Sequence, residues 1–173
     1  MKMVIIGYSG AGKSTLAKKL TDFYKLPLLH LDKLRFSNGW QARKKENISA
    51  DIQAFLDTHD SWVIEGNLSS CLFEERLNAA DKIIILQLPR LICLKRAYKR
   101  YRQHRGQTRD SMAEGCPERF DLDFIKWILI DGRHPQIQEQ FQYVLENYSD
   151  KTFHLTSQKG IDTFLQDMKK WAL

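Results

Sequence analysis

The sequence predicts an α/β fold, a parallel β-sheet covered on both faces by helices. Three observations carry this. Short apolar runs suited to strands alternate with stretches of helical periodicity along most of the chain. The stretch Gly7-Tyr8-Ser9-Gly10-Ala11-Gly12-Lys13-Ser14 follows the first apolar run and opens the first helical one. The run Lys82 to Leu88 is apolar almost without a break, as expected of a strand buried on both faces.

Taken in order, Met3 to Ile6 reads as a strand and Lys13 to Asp22 as a helix with Leu16, Ala17 and Leu20 on one face. Pro27 to Leu31 reads as a second strand ending at Asp32. Ile48, Ile52, Phe55 and Leu56 recur at helical spacing between Glu46 and Thr58. Trp62 to Ile64 is a third strand, ending at Glu65 and Gly66, and Leu68 to Leu77 reads as a helix. The strand from Lys82 stops at Pro89, and Leu91 to His104 is a basic amphipathic helix. Residues 106–117 carry turn residues and read as a loop. Asp121 to Tyr148 is mostly helical, with a bend expected at Gly132 to Pro135. Lys151 to Leu155 is the last strand, and Ile161, Phe164, Leu165 and Met168 mark a final helix.

A chain of 173 residues suits one domain. It has no apolar run long enough to span a membrane, and its first segment lacks the small-residue cleavage site of a signal peptide. Cys71, Cys93 and Cys116 are scattered, without disulfide or zinc spacing, and read as reduced cytoplasmic thiols. The formal charge of +6 suits an anionic partner.

The glycine-rich stretch matches the phosphate-binding loop G-x-x-x-x-G-K-[ST] throughout. Its backbone N–H groups, with the positive end of the following helix, form a cradle for phosphate oxygens. Gly7, Ser9, Gly10, Ala11, Gly12, Lys13, Ser14 and Thr15 are therefore the nucleotide-binding candidates. Lys13 is expected on the β- and γ-phosphates and Ser14 on magnesium. No guanine-reading N-K-x-D pattern occurs, which favours ATP.

Two carboxylates stand at expected strand ends, where the ligand crevice of an open parallel sheet lies. Glu65 is the second magnesium candidate, and Asp32 is expected to hold an acceptor or take its proton. Phosphoryl transfer also needs cations around the migrating group. Arg96, Arg100, Arg105 and Arg109 are the first choices, with Arg119 and Arg133 beyond them. Trp62, Trp127 and Trp171 fit core positions, whereas Trp40 suits either packing or stacking on a planar acceptor.

Four segments occur together: the phosphate-binding loop, His30 to Leu34, Trp62 to Asn67, and Met112 to Phe120. As a set they resemble the bacterial adenylate-kinase-related proteins known as DNA topology modulation (FlaR-like) proteins. The resemblance covers nearly the whole chain. It implies the nucleoside-monophosphate-kinase architecture, a five-stranded parallel sheet in order 2-3-1-4-5. It also implies an acceptor-binding region at residues 33–60, a lid at 105–120, and adenine near Thr156 to Gly160. That group usually carries Asp-Gly after the third strand. Here it is Glu65-Gly66, and the extra methylene displaces the charge.

The leading functional expectation is an ATP- and magnesium-dependent kinase acting on a nucleotide or similar phosphorylated small-molecule acceptor. Two alternatives stand beside it: a hydroxyl-directed metabolite kinase with Asp32 as base, and an ATP-responsive DNA-binding regulator. Nucleic acid is the less favoured partner, because the cations cluster where a kinase lid belongs and no DNA-reading motif is visible. Oligomeric state is open.

Overall fold

The structure, a computed structural model, describes residues 1–170. Five strands form the central sheet: β1 (Lys2–Gly7), β2 (Leu28–His30), β5 (Trp62–Glu65), β6 (Lys82–Leu86) and β7 (Thr152–Leu155). Their order is β2-β5-β1-β6-β7, and every pairing is parallel. Counting these strands alone, this is the order 2-3-1-4-5 expected above. Two short strands, β3 (Phe36–Ser37) and β4 (Gln41–Ala42), form a separate antiparallel hairpin.

The helices are α1 (Lys13–Tyr24), α2 (Leu31–Arg35), α3 (Lys45–Thr58), α4 (Phe73–Ala79), α5 (Arg90–Gln103), α6 (Leu122–Leu129), α7 (Pro135–Asn147) and α8 (Gln158–Lys170). Helix α1 packs against β1, β2 and β5, while α7 and α8 lie against the edge strand β7. Met3 to Ile6, Val63, Ile64 and Ile83 to Leu86 are buried. The unbroken apolar runs thus occupy the middle of the sheet, where both faces are covered. The edge strands β2 and β7 are mostly half-buried and tolerate a mixed pattern.

Three expectations need correction. The helix expected over Leu68 to Leu77 begins only at Phe73. Leu72 takes a left-handed conformation (φ 48°), and the buried Arg76 guanidinium donates to the carbonyls of Leu68, Cys71 and Leu72. Those carbonyls bond to a side chain, so residues 68–72 form a pinned turn. Burial pulls Arg76 down to about 10.

The second strand ends at His30, so Asp32 sits in the first turn of α2 rather than on a strand end. The irregular stretch after it contains the β3–β4 hairpin, closed by a 3₁₀ turn at Asn38–Trp40. The expected bend at Gly132 to Pro135 is present, as a 3₁₀ turn at Asp131–Arg133 between α6 and α7. Trp62 is fully buried, as expected. Trp127 is 41% exposed and is no core residue. Trp171 lies outside the described residues.

Parallel pairing aligns the C-terminal ends of β1, β2 and β5, with Glu65 opposite both Ile5 and His30. The crevice beyond these ends is where ligands of such sheets bind. Gly7 ends β1 at φ 141°, and a Cβ there would lie 2.3 Å from the Leu86 carbonyl oxygen of β6. We expect Gly7→Ala to cost roughly 2–4 kcal/mol, combining left-handed strain with a backbone clash. Urea unfolding measures this, and an unchanged midpoint would show that β1 and β6 separate freely at this point.

Candidate active site

The phosphate-binding loop is held from its first residue. Asn67 clamps Gly7 through both backbone groups: Gly7 N–H donates to Oδ1 at 2.8 Å, and Nδ2 donates to the Gly7 carbonyl at 2.7 Å. Asn67 reaches this position because the chain turns at Gly66 (φ 131°), packed against Leu31. Tyr8 N–H donates to Leu86 and Ala11 N–H to Tyr8, closing the loop. Helix α1 then starts from Gly12 without a side-chain cap, leaving its first amides uncapped at the loop. Lys13 Nζ donates to the carbonyls of Gly7 (3.0 Å) and Tyr8 (3.3 Å), so the ammonium lies across the loop. Thr15 follows with an exposed side chain.

The two magnesium candidates are brought together. Ser14 Oγ donates to Glu65 Oε1 at 3.1 Å, and His30 Nδ1 lies 2.7 Å from the same oxygen. Burial alone would raise the Glu65 carboxyl. The His30 hydrogen bond, the Lys13 charge, the His30 charge and the Ser14 hydroxyl outweigh it and hold it below the usual carboxylate range. Glu65 is therefore ionised, and His30 is the donor in their bond. Glu65 Oε2 is buried and has no hydrogen-bond partner. A hard oxygen left unsatisfied beside a hydroxyl at a phosphate cradle fits a hydrated magnesium ion.

Asp32 faces a mixed field. Removal from water raises its carboxyl, Lys13 opposes that most strongly, Glu65 adds to it, and Arg35 and Arg109 oppose it. Arg100 belongs to the same field: burial and the like charge of Arg109 lower it, while Glu118 and Asp32 act the other way. Both arginines bind one carboxylate. Arg100 Nε donates to Glu118 Oε1 at 2.6 Å, and Arg109 Nε donates to Glu118 Oε2. Arg109 Nη1 also donates to Ser111 Oγ at 2.9 Å.

The other arginines separate from this pair. Arg96 donates to the Ala11 carbonyl at 2.7 Å and to Gln158, so it braces the phosphate-binding loop against the start of α8. That contact brings the 156–160 segment to the loop. Arg105 is exposed, and only its backbone bridges to Glu118. Arg119 pairs with Asp121 and lies over the Trp40 ring. Arg133 stacks on Tyr8 at 3.8 Å and donates to the Leu88 carbonyl. Trp40 packs against Phe36 and joins Met112, Ala113 and Cys116 in a small second core. Packing accounts for the Trp40 ring, whereas its buried indole N–H has no hydrogen-bond partner among the described residues.

Several participants escaped the sequence reading. Asn67 stood within a quoted segment, but nothing local announced its clamp on Gly7. Trp127 Nε1 donates to Ser9 Oγ at 3.0 Å, 118 residues away in the chain. Glu118 lies in an aperiodic loop, and its pairing with Arg100 and Arg109 is visible only in three dimensions.

Among similar proteins, the adenylate kinase of Mycolicibacterium paratuberculosis (strain ATCC BAA-968 / K-10) is 28% identical over 155 residues, covering 88% of this chain and 82% of that one. The adenylate kinase of Mycobacterium leprae (strain Br4923) is 26% identical over 117 residues, covering 66% and 62%. A solved shikimate kinase from Bacteroides thetaiotaomicron superposes with a TM-score of 0.52 at 15% identity, covering 99% of this chain and 98% of that one, a likeness of fold. No family model matches the chain. Fold and relatives together define a P-loop protein of kinase-like architecture. The narrower resemblance to topology modulation proteins rests on the sequence segments that suggested it. No helix among the described residues is long and apolar enough to cross a membrane.

Two outcomes follow from this geometry. Asn67→Ala removes the side-chain acceptor of the Gly7 N–H and leaves the Gly7 carbonyl to Lys13 alone, and should cost about 1–3 kcal/mol. Nucleotide affinity should fall with it. Calorimetric unfolding and nucleotide titration read the two effects, and wild-type values in both would remove the clamp's role. Asp32 has its folded value raised, so above its unfolded value near 4 the native state still holds a proton that the unfolded chain has released. Its contribution to stability falls as pH rises across that window. Asp32→Asn should therefore raise the unfolding midpoint at neutral pH, and the gain should vanish below about pH 4. A midpoint that drops at neutral pH would contradict this.

Proposed function

We propose that the chain is an ATP-dependent phosphotransferase acting on a small phosphorylated acceptor, most simply a nucleotide, with residues 105–120 as its lid and 33–60 facing the acceptor. The observation that carries this is the orphaned Glu65 Oε2, ionised and buried beside the Ser14 hydroxyl at the phosphate-binding loop. A buried carboxylate oxygen without a partner is costly, and a cation removes that cost. Adenylate kinases at 26–28% identity support the same chemistry.

The residues have these roles in the proposal. The loop amides and the start of α1 orient the nucleotide phosphates. Lys13 leaves the Gly7 and Tyr8 carbonyls to neutralise charge on the group in transit. Ser14 and Glu65 would hold magnesium, the serine directly and Glu65 through water. Magnesium supplies charge neutralisation on the phosphate oxygens. Arg100 and Arg109 act from the opposite side of the crevice, and Asn67 and Arg96 keep the loop in shape. Lys13, Arg35, Arg100 and Arg109 around Asp32 favour an anionic acceptor. A phosphate acceptor brings its own nucleophilic oxygen, so Asp32 then positions it.

One observation favours a second reading, in which the acceptor is a hydroxyl. The raised Asp32 carboxyl makes it a stronger base than an ordinary aspartate.

An ATP-consumption screen across nucleoside monophosphates, nucleosides and small hydroxylated metabolites tests the proposal. Turnover with none of them would count against it. With the acceptor in hand, Lys13→Ala should lower kcat/KM on the order of a hundredfold or more, and a folded variant at wild-type rate would refute the role of Lys13. Asp32→Asn should raise acceptor KM and leave kcat within a few-fold. A kcat loss of roughly a hundredfold at constant KM would select the hydroxyl reading.

A further inference from the structure

Glu118 is a buried carboxylate: its side chain is 3% exposed, and both oxygens are taken by arginines. Each arginine bonds to it through Nε. Nε lies on the flank of a guanidinium, behind the two Nη groups that form its fork. With the flanks taken by Glu118, both Nη groups of Arg100 and Nη2 of Arg109 have no hydrogen-bond partner among the described residues. Arg109 Nη1 is tied to Ser111.

The arginines come from different elements, Arg100 from the last turn of α5 and Arg109 from the following loop. Two guanidinium groups brought this close repel each other. A single carboxylate between them cancels that repulsion and fixes their relative orientation. Glu118 is itself fixed, because its N–H donates to the Gln107 carbonyl at 3.0 Å. Asp32, in the first turn of α2, lies in the field of both arginines.

We propose that Glu118 is a positioning residue: it holds Arg100 and Arg109 by their flanks as a paired clamp whose free Nη donors take a phosphoryl group in the crevice. The ligand class is a phosphate-bearing anion, recognised by planar forks rather than by a point charge. This deepens the proposed function and rests on it for the identity of the reaction. The arrangement leaves Glu118 in place when the anion arrives. A carboxylate that merely occupied the arginines in the absence of ligand would be displaced instead.

The test uses the full chain with arginine-selective 15N labelling, Arg100→Lys and Arg109→Lys serving for assignment. In the free protein the Nε–H signals of both arginines should be shifted by their carboxylate bonds. Inorganic pyrophosphate should move the Nη signals and leave the Nε–H signals in place. Pyrophosphate that releases the Nε–H bonds would make Glu118 a competitor and overturn the proposal, as would Nη signals that do not respond. Kinetics with the acceptor then read the consequence. Glu118→Gln keeps the shape, removes the charge and turns an amide N–H₂ toward one arginine. It should lower kcat by about tenfold to a hundredfold with ATP KM within about threefold, and Glu118→Asp should recover part of the loss. Glu118→Gln at wild-type kcat, or a loss that follows thermal stability alone and is not rescued by aspartate, would refute the positioning role. If the wild-type protein transfers phosphate to nothing while pyrophosphate still engages both forks, the proposed reaction falls and the clamp stands.

Discussion

The site is organised around one buried negative charge. Glu65 is 2% exposed at its side chain, and a carboxylate so far from water survives ionised only if its surroundings stabilise the charge. Three side chains from two parts of the chain meet that demand. Parallel register sets His30 of β2 opposite Glu65, the first helix offers the Ser14 hydroxyl, and Lys13 supplies charge. His30 and Ser14 are thereby located to within hydrogen-bond geometry of Glu65. The phosphate-binding loop, the second strand and the third sheet strand are locked together at the same point. The next two residues, Gly66 and Asn67, carry the constraint back to Gly7. A glycine at positive φ at the end of β1 and a buried glutamate at the end of β5 thus belong to one structural unit.

That unit explains which parts were legible in the amino-acid sequence. The loop is local chemistry, eight consecutive residues whose glycines and lysine have meaning at fixed spacing. The central strands were legible because both faces are covered and their apolar runs are unbroken. Edge and hairpin structure was not. The β3–β4 hairpin is two residues deep on each side, and its stability comes from packing against Met112, Ala113 and Cys116, far along the chain. Helix α4 was misjudged because its apparent first turn gives its carbonyls to Arg76, a tertiary contact that overrides periodicity.

The arginines show the same limit. Arg96 and Arg100 lie one helical turn apart, and helical spacing places them on one face. In the structure one turns to the phosphate-binding loop and the other to Glu118. A single turn of α5 therefore spans the distance between the glycine-rich loop and the loop that follows the helix. What sorts the two side chains is the carboxylate or carbonyl that each meets, and neither partner is near in sequence. Trp127 follows this logic in reverse. Its apolar surroundings in sequence suggest a core position, yet its indole N–H finds Ser9 at the surface of the site.

The second small core gives these loops a mechanical relation. Trp40 packs on Phe36 and beneath Arg119, Cys116 Sγ donates to the Ser37 carbonyl, and Gly39 N–H donates to the Gly115 carbonyl. Residues 36–42 and 112–119 are thus joined by apolar contact and by backbone hydrogen bonding. The hairpin begins directly after α2, which carries Asp32 in its first turn. The partner loop carries Glu118, and through it Arg100 and Arg109. Displacing either loop alone would break this core, whereas moving both together preserves it. Asp32 and the arginine pair are therefore coupled through packing, as well as through the charges they share.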